Sequence, residues 1–253
     1  MALENLKLAF PAVPAEERRR LCRRSFQHLG VSAMELCRAL ARPVETLLPE
    51  FSVEGLEHLR AVMEAEGRAL VVTAHLGNWE LLGLAHVLSG YRLAVVARRL
   101  DSPALEELAS RLRTKSGVEL IEKRQALRPV LTALRRGRFV GILLDQNASR
   151  REGVFVPFFG VPASTSKSIA VLSLRTQTPI VPIFIRRTPS GGHRVVVEPP
   201  LRASGPNGGE EAVVELTMLC TQAIEHAIRE APEQWLWVHR RWRTRPVVAE
   251  VRS

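Results

Sequence analysis

Ala69-Leu-Val-Val-Thr-Ala-His-Leu-Gly-Asn-Trp-Glu80 decides the fold, because an apolar strand in this stretch ends at a histidine and a carboxylate follows five positions later. On one helix, a five-residue separation rotates two side chains about 140° apart at roughly 100° per residue. His75 and Glu80 therefore cannot share a helix face. They meet if His75 lies at the mouth of a strand and Gly77 allows the backbone to turn. Asn78 then caps a new helix whose first turn contains Glu80, and the carboxylate orients the imidazole as in a serine-protease triad.

Strand and helix patterns alternate from residue 52 onwards. Apolar, β-branched runs predict strands at Ala69–Ala74, Arg92–Ala97, Val118–Ile121, Phe139–Leu144, Pro179–Ile185 and Arg194–Glu198. Helical periodicity predicts helices at Asn78–Leu88, Ser102–Lys115, Gln125–Arg136, Ser164–Arg175 and Glu210–Glu230. This alternation is typical of an α/β fold, in which a mostly parallel or mixed sheet is flanked by helices.

The first fifty residues are predicted to be helical and to form a cap on this core. One helix is predicted from Pro14 to Leu29, with acidic residues in its first turn and a stop at Gly30. Arginines and apolar residues share its middle, which fits either a solvated face or attachment to an anionic membrane surface. No linker divides the chain. The sequence predicts one domain over residues 1–253, with the helical part in 1–50 and the α/β core in 51–253.

Composition excludes several classes of protein. The chain has 253 residues, of which 46% are hydrophobic and 25% charged, and these values exclude a disordered chain. The three cysteines form no C-x-x-C pair, so neither a disulfide framework nor a zinc site is predicted. No stretch reaches 18 uninterrupted apolar residues, which argues against a membrane span within this sequence. The net charge of +10 predicts an acidic partner, such as anionic lipid, an acidic carrier protein, a phosphorylated substrate or nucleic acid.

Polar side chains follow two further predicted strands at positions equivalent to that of His75. Arg98 follows Val95-Val96-Ala97, and Asp145-Gln146-Asn147 follow Ile142-Leu143-Leu144. Ligands of open α/β sheets bind beyond the carboxyl ends of the strands, so these residues predict a site at that edge. Any one of them is also compatible with a loop cap.

Several alternative chemistries lack their sequence motifs. The sequence contains no H-E-x-x-H, G-x-S-x-G, G-x-x-x-x-G-K-[ST] or G-x-G-x-x-G pattern, which argues against metalloprotease, α/β-hydrolase and nucleotide-binding functions. Nucleic-acid binding is suggested by the charge alone. The sequence has no nucleic-acid motif, and aromatic residues available for stacking make up only 5% of it, so we expect no nucleic-acid partner.

Four motifs occur in order along the chain. They are His75-Leu-Gly-Asn-Trp-Glu80, Asp145-Gln146, Gly153-Val-Phe-Val-Pro-Phe-Phe-Gly160 and Pro232-Glu-Gln-Trp-Leu-Trp-Val-His-Arg-Arg-Trp242. From about Asn5 to Arg245 the sequence resembles the late lipid A acyltransferases of the lauroyl/myristoyl type, a family within the glycerolipid (lysophospholipid) acyltransferases. The resemblance implies acyl transfer from a thioester of acyl carrier protein or coenzyme A to a hydroxyl of a glycolipid, with no metal and no resident cofactor.

The resemblance also implies catalytic roles. His75 is implied to be the general base that removes the hydroxyl proton, and Glu80 to hold the imidazole and stabilise its cation. A positioned base contributes about 10²–10⁴-fold to such a reaction. Backbone N–H groups around Gly77 and Asn78 are candidate donors to the oxyanion.

Further residues are implied to bind the substrates. Arg98 and Arg113 would bind phosphates of the acceptor or donor, although Arg113 is equally compatible with a charged helix surface. Asp145 and Gln146 would order the same site.

The run that contains Phe155, Phe158 and Phe159 is dense in apolar residues. It is compatible with core packing. Alternatively, the three rings line a groove for the acyl chain, which gains about 0.8 kcal/mol per buried methylene. We expect these rings to bind the chain.

Attachment to a membrane is a further expectation. Three tryptophans near the C-terminus, Trp235, Trp237 and Trp242, lie beside arginines, a composition that suits a membrane interface. Tryptophans are also good core residues, so we expect at least one of the three to be buried. Members of the resembled family usually carry a membrane-embedded helix ahead of the segment that matches Asn5-Leu-Lys-Leu-Ala-Phe-Pro11, and this sequence begins almost at that segment. The resemblance therefore implies either a start upstream of Met1 or a peripheral protein on the cytoplasmic face of the bacterial inner membrane. The alternative acceptors are a phosphatidylinositol mannoside and a lysophospholipid.

Overall fold

Strands and helices alternate through most of the chain, as a computed structural model describes it for residues 1–98, 102–203 and 209–246. The strands are β1 (Phe51–Glu54), β2 (Ala69–Thr73), β3 (Leu93–Ala97), β4 (Glu119–Glu122), β5 (Phe139–Leu143), β6 (Gly153–Phe158), β7 (Val161–Ser166), β8 (Ile180–Arg187) and β9 (His193–Val197). The α-helices are α1 (Ala2–Ala9), α2 (Ala15–Ala41), α3 (Leu56–Glu66), α4 (Trp79–Ala85), α5 (Pro103–Lys115), α6 (Leu127–Arg135), α7 (Ser168–Thr176) and α8 (Glu210–Glu230). Short 3-10 helices lie at Val44–Thr46, Leu48–Glu50, His86–Ser89, Lys123–Gln125 and Pro232–Gln234.

The main sheet of the described residues has seven strands in the order β1-β9-β8-β2-β5-β3-β4. Its neighbours are parallel except for the β8–β9 pair, which is antiparallel. Strand β2 lies between β8 and β5, and all five of its residues are buried. Burial on both faces explains why this strand is continuously apolar in sequence. The predicted fold class, a mixed and mostly parallel α/β sheet with an N-terminal helical part, is confirmed.

Alternate residues of the central strands pack into two apolar clusters, one on each face of the sheet. Val72 and Val140 belong to a cluster that contains Trp235, and we call this side the tryptophan face. Val71 and Phe139 belong to a second cluster with residues of α3 and α4, and we call this side the α4 face. Because side chains alternate along a strand, neighbouring residues of β2 and β5 serve different faces.

Some predicted boundaries were wrong. The helix predicted to stop at Gly30 continues as α2 to Ala41, because its second half buries residues such as Ala39 against the core. The helix predicted from Ser164 begins only at Ser168. Ser164 belongs to β7, whose antiparallel pairing with β6 satisfies its backbone groups instead. The helix predicted from Asn78 to Leu88 divides into α4 and the 3-10 helix that follows it.

No helix in the described part of the chain is long and apolar enough to cross a membrane.

Candidate active site

The turn after β2 is held by the segment that follows α8. The His75 carbonyl accepts a hydrogen bond from the Leu236 N–H at 3.0 Å, and the Gly77 N–H donates to the Gln234 carbonyl at 3.0 Å. Gly77 has a φ of +60°, and a Cβ atom there would lie 2.2 Å from the Ile185 carbonyl oxygen. Only glycine fits this close approach in this conformation. The predicted turn at Gly77 is therefore present, with β8 packed directly against it.

The carboxylate that contacts His75 is that of Asp145, which follows β5. Asp145 Oδ1 lies 2.8 Å from His75 Nδ1, and Oδ2 accepts from the His75 backbone N–H at 2.9 Å. The indole N–H of Trp235 also donates to Oδ2, at 2.7 Å. Three donors thus fix a carboxylate that is itself buried. Because Nδ1–H donates to Asp145, the lone pair of the neutral imidazole lies on Nε2.

The electrostatics of this pair stabilise the charge-separated form. Burial raises the pKa of Asp145, but the adjacent His75 and the hydrogen bonds from His75 and Trp235 outweigh it and lower that pKa to about 2. Burial lowers the pKa of His75, yet the charge and hydrogen bond of Asp145 outweigh burial and raise it above its ordinary value. His75 is therefore a stronger base than a free histidine, and its cation has a fixed counter-ion.

Glu80 does not hold the His75 imidazole, so that prediction was wrong. Its carboxylate accepts two hydrogen bonds from Arg113, from Nε at 2.8 Å and from Nη2 at 2.5 Å. The predicted placement of Glu80 in the first turn of α4 is correct. The negative charge of Glu80 also helps to raise the pKa of His75, so the residue acts on the site without a direct hydrogen bond.

Arg113 was predicted to bind a substrate phosphate, and the structure corrects this as well. Its guanidinium is largely buried and forms the bidentate pair with Glu80. Burial lowers the pKa of Arg113, but the hydrogen bonds and charge of Glu80 raise it by more. The pKa of Arg113 is therefore above its usual value. A phosphate would have to displace a well-formed ion pair.

Asn78 supports the turn in a different way from the predicted helix cap. It lies at the N-cap position of α4, but its side chain makes no capping hydrogen bond. Instead its amide donates to the Ser32 carbonyl at 3.1 Å and to Glu35 Oε2 at 2.9 Å, both on α2. Arg187 in turn donates to both oxygens of Glu35 at 2.7 Å. A buried polar network thus joins α2, β8 and the turn that carries His75.

His28 belongs to the same network. Burial lowers its pKa, so the imidazole is neutral at physiological pH. Its Nδ1 accepts from Arg187 at 2.5 Å, and its Nε2–H donates to the Gly77 carbonyl at 3.1 Å. The inner face of α2 therefore contacts the backbone of the catalytic turn directly.

The oxyanion donors predicted around Gly77 and Asn78 are only partly available. The Gly77 N–H is occupied by the Gln234 carbonyl. Among the described residues, no hydrogen bond occupies the Asn78 N–H, so this group is the remaining candidate.

The other polar residues predicted for the site lie at its rim. Arg98 directly follows β3 and is exposed, and Gln146 follows Asp145 and is exposed. Lys123 and Arg124 follow β4, and both are exposed. Lys123 is close enough to act electrostatically on His75, whose pKa it lowers slightly against the larger effect of Asp145. Cations thus follow the two strands β3 and β4 at the carboxyl edge of the sheet.

The three phenylalanines predicted to bind an acyl chain do not form a groove beside His75. Phe158 is 0% exposed and Phe159 is 6% exposed. The Phe158 ring packs against Trp235 with centroids 5.7 Å apart, and Phe159 packs against Phe158 at 4.9 Å. Phe155 is only partly buried and lies in β6, under the guanidinium of Arg150. The prediction is corrected because Phe158 and Phe159 fill the core on the tryptophan face.

Comparison with known proteins identifies the family. The sequence model of the family described as "Bacterial lipid A biosynthesis acyltransferase" matches residues 1–244. The chain belongs to this family. It is 32% identical over 250 residues to the lipid A biosynthesis palmitoleoyltransferase of Escherichia coli (strain K12), covering 98% of this chain and 79% of that protein. It is 30% identical over 244 residues to the lauroyltransferase of the same organism, covering 96% and 78%. The myristoyltransferase there is 21% identical over 245 residues, covering 96% and 75%.

The structure of this lipid A biosynthesis acyltransferase adds site residues that the sequence reasoning did not assign. Trp235 anchors Asp145, and Trp79 packs its ring against His75 with centroids 5.1 Å apart. Burial lowers the pKa of His239 to about 4, and its Nε2 accepts from the Asn147 N–H at 3.3 Å. Trp79, Trp235 and His239 each lie within one of the four motifs of the sequence analysis. The motifs therefore indicated the right segments of the chain but not the contacts that these side chains make.

The C-terminal tryptophans of the acyltransferase do not face a membrane. Trp235, Trp237 and Trp242 are all buried. Arg241 is also buried, and it donates to the Ser164 carbonyl at 2.9 Å. The expectation that at least one of these tryptophans is buried is confirmed, and the expected membrane interface is wrong, because all three rings belong to the core of the tryptophan face.

Proposed function

We propose that this acyltransferase moves a fatty acyl chain from a thioester, carried by acyl carrier protein or coenzyme A, to a hydroxyl of a lipid A precursor. The observation that carries the proposal is the buried pair of His75 and Asp145, which leaves Nε2 of the imidazole available as a base. Family membership supports the acyl chemistry, and the names of the relatives support the acceptor.

The reaction follows from the protonation states of this pair. Nε2 of His75 removes the proton as the acceptor oxygen attacks the thioester carbon, and the Asp145 carboxylate stabilises the imidazolium that forms. Collapse of the tetrahedral intermediate breaks the C–S bond and releases a thiolate, to which His75 returns the proton. The steps need no metal and no resident cofactor, since the thioester is a co-substrate.

Two groups near His75 complete the proposed site. The Asn78 N–H is offered as a donor to the oxyanion, because it lies at the N-cap of α4, three positions after His75, and no hydrogen bond among the described residues occupies it. The Glu80–Arg113 pair keeps a negative charge near the imidazole and fixes the start of α4 against α5. Glu80 is thus proposed as an electrostatic and positioning residue.

We propose that the exposed cations at the carboxyl edge of the sheet bind phosphate groups. Arg98, Lys123 and Arg124 follow two adjacent strands, β3 and β4, at the carboxyl edge of the sheet, and Lys123 is close enough to His75 to act on its pKa. Guanidinium and ammonium groups form strong, charge-assisted hydrogen bonds with phosphate oxygens. This arrangement favours an anionic acceptor or donor, and Gln146 beside Asp145 is available as a neutral polar contact.

Attachment to an anionic membrane surface at the cytoplasmic face of the inner membrane is proposed to occur through α2. Its outer face exposes Phe26, Val31 and Met34, with 53%, 46% and 70% of each residue accessible. Arginines at positions 19, 20, 23 and 24 precede them on the same helix and are exposed. Near an anionic leaflet each basic residue contributes roughly 1 kcal/mol. Because the inner face of α2 contacts Gly77, such attachment would hold His75 about one helix diameter, roughly 10 Å, from the lipid.

The donor and acceptor are tested together by incubating the purified protein with each of several combinations and reading lipid masses. The donors are lauroyl-acyl carrier protein and lauroyl-coenzyme A, and the acceptors are a lipid A precursor, a phosphatidylinositol mannoside and a lysophospholipid. We expect one acyl group to be added to the lipid A precursor. Transfer only to another acceptor would reject the proposed substrate, and transfer to none would reject the proposed reaction.

Membrane attachment is tested by vesicle flotation with anionic lipid. Met34→Ser should reduce the bound fraction, since it removes an exposed apolar side chain from the proposed contact. Leu127→Ser is the matched control, because Leu127 is 54% exposed on α6. Equal binding by the two variants and the wild type would exclude α2 as the contact.

A further inference from the structure

Three of the four backbone polar groups of Gly77 and Asn78, in the turn after β2, have partners within the protein. The Gly77 N–H donates to the Gln234 carbonyl at 3.0 Å, and the Gly77 carbonyl accepts from His28 Nε2 at 3.1 Å. The Asn78 carbonyl accepts from the Leu81 N–H at 2.9 Å. Within the described part of the chain the Asn78 N–H has no such partner, although the residue is only 2% exposed. Buried N–H groups are rarely left unpaired, so this one indicates a place where a ligand accepts a hydrogen bond.

The unpartnered N–H belongs to the same peptide group as the carbonyl that His28 contacts. The peptide between Gly77 and Asn78 is trans, since no cis peptide occurs among the described residues. In a trans peptide the C=O and N–H bonds point in opposite directions. Because the carbonyl points at His28 on α2, the Asn78 N–H points away from that helix. The hydrogen bond from His28 therefore fixes the direction of a donor that His28 does not touch.

Backbone sterics alone hold this peptide plane only weakly. Rotation of the plane changes ψ of Gly77 and φ of Asn78, and glycine has the fewest steric limits on its dihedrals. Gly77 is itself required, because of its positive φ and the nearby Ile185 carbonyl. Hydrogen bonds must then hold the plane, and the bond from His28 is the one on its carbonyl.

The tautomer of His28 is determined by Arg187. A guanidinium can only donate, so His28 Nδ1, which contacts Arg187 Nη1, is the acceptor. The proton of the neutral imidazole is then on Nε2, which faces the Gly77 carbonyl and has Ser32 Oγ at 3.3 Å. Arg187 is held in turn by both oxygens of Glu35 at 2.7 Å. These contacts keep His28 in the tautomer that donates to the turn.

We infer that His28 is a positioning residue, which fixes the peptide between Gly77 and Asn78 so that the Asn78 N–H is available to the oxyanion of the tetrahedral intermediate. The inference rests on the proposed function. The oxyanion forms only as the thioester carbon is attacked, so a donor aimed at it raises kcat more than it strengthens substrate binding. Loss of the correct direction should therefore lower kcat and leave KM nearly unchanged.

The test compares two amide side chains at position 28. In His28→Gln the NH₂ group reaches the position of Nε2 and can donate to the Gly77 carbonyl, while the amide oxygen can accept from Arg187. His28→Asn is one methylene shorter, so it keeps a polar group near Arg187 but does not reach the carbonyl. Leu21→Ala is the control for weakened packing of α2, because Leu21 is buried on the same helix, in the core of the tryptophan face.

We expect kcat of His28→Asn to fall by about 10- to 100-fold, which is less than the roughly 10²–10³-fold lost when an oxyanion donor is removed. Its KM for the thioester and the pH midpoint of kcat/KM should stay at the wild-type values. The midpoint is unchanged because the charges that shift the pKa of His75 are those of Asp145, Glu80 and Lys123. His28→Gln should retain most of the wild-type kcat, and Leu21→Ala should lower the Tm without lowering kcat.

Equal kcat values for His28→Asn and the wild type would overturn the inference. Equal losses in His28→Asn and His28→Gln, or a loss of the same size in Leu21→Ala, would also overturn it. If either variant at position 28 does not fold, ¹⁵N NMR of the wild-type imidazole decides: a proton on Nε2 of His28 at neutral pH supports the inference, and a proton on Nδ1 overturns it. Absence of transfer by the wild type from every donor would instead reject the proposed function, so the two failures are distinguishable.

Discussion

Asp145→Asn removes the charge that the structure places against His75 while preserving the size of the side chain. In the wild type, Oδ2 accepts two N–H groups and Oδ1 accepts the third. An asparagine whose NH₂ replaces Oδ2 would face two donors, from His75 and Trp235, and would lose both hydrogen bonds. The less costly orientation directs the NH₂ at Nδ1 of His75. The imidazole must then accept at Nδ1 and carry its proton on Nε2, where the base is needed.

The magnitude follows from the loss of the base. A positioned general base contributes about 10²–10⁴-fold, and in a serine-protease triad the same Asp→Asn change lowers kcat about 10⁴-fold. We expect kcat for Asp145→Asn to fall by about 10³-fold, or ~4 kcal/mol in the barrier. The variant also removes the largest influence that raises the pKa of His75.

The pH profile separates this mechanism from a general loss of structure. Only the neutral imidazole accepts a proton, so wild-type kcat/KM should rise with pH through the raised pKa of His75. In Asp145→Asn this rise should move to lower pH while the plateau falls. The assay is acyl transfer to the lipid A precursor at a series of pH values, with Glu152→Gln, an exposed acid just ahead of β6, as control. Wild-type kcat and an unmoved profile in Asp145→Asn would refute the reasoning.

The remaining predictions concern the support of this pair. Gly77→Ala should destabilise the fold by at least about 1–3 kcal/mol, because position 77 has a positive φ and a Cβ atom there would clash with β8. Gly83→Ala is the control, since its Cβ atom would meet Val118 at an ordinary 3.6 Å. Thermal unfolding should show a lower Tm for Gly77→Ala and little change for Gly83→Ala. Glu35→Gln should destabilise the fold by up to about 3–5 kcal/mol, because it leaves the largely buried Arg187 charge without its partner, and denaturant titration checks this value. The pKa of Asp145 is lowered to about 2 in the folded state, so its carboxylate contributes to stability above the pKa of the unfolded state. This contribution is lost as pH falls toward 2. Acid unfolding of the wild type, compared with that of Asp145→Asn, measures the loss.

The parts of the fold that follow from local pattern were predictable. The apolar run at Ala69–Thr73 was long enough, and sufficiently β-branched, to indicate a buried strand, and Gly77 indicated the turn after it. Glu80 was placed correctly at the start of α4. These features depend on neighbours within about ten positions, which a sequence pattern records directly.

The partner of His75 depends on contacts between distant residues, so local spacing did not reveal it. Asp145 is 70 positions away and reaches His75 because β2 and β5 are parallel neighbours. Glu80 is nearer in sequence but pairs with Arg113, which is 33 positions away. The sequence contains two acids, Glu80 and Asp145, and two groups that can pair with them, His75 and Arg113. Only the order of the strands in the sheet decides which acid contacts which partner.

Phe158 shows a second limit of pattern alone. A run of large apolar residues has the same appearance in a core and in a lipid groove. The position of β6 against the tryptophans decides between them, and that position arises from long-range packing. On the α4 face, an apolar cavity between the sheet and α3 and α4 is lined by residues scattered through several strands and helices, which form no run in the sequence.

The central claim is that His75, oriented by Asp145, is the base of an acyl transfer to a lipid A precursor. The most direct test measures the mass of the acceptor lipid after incubation with an acyl thioester and equal amounts of folded wild type or His75→Ala. The account predicts that the wild type adds one acyl group and that His75→Ala adds almost none at the same temperature and pH. Equal product from both proteins would contradict it.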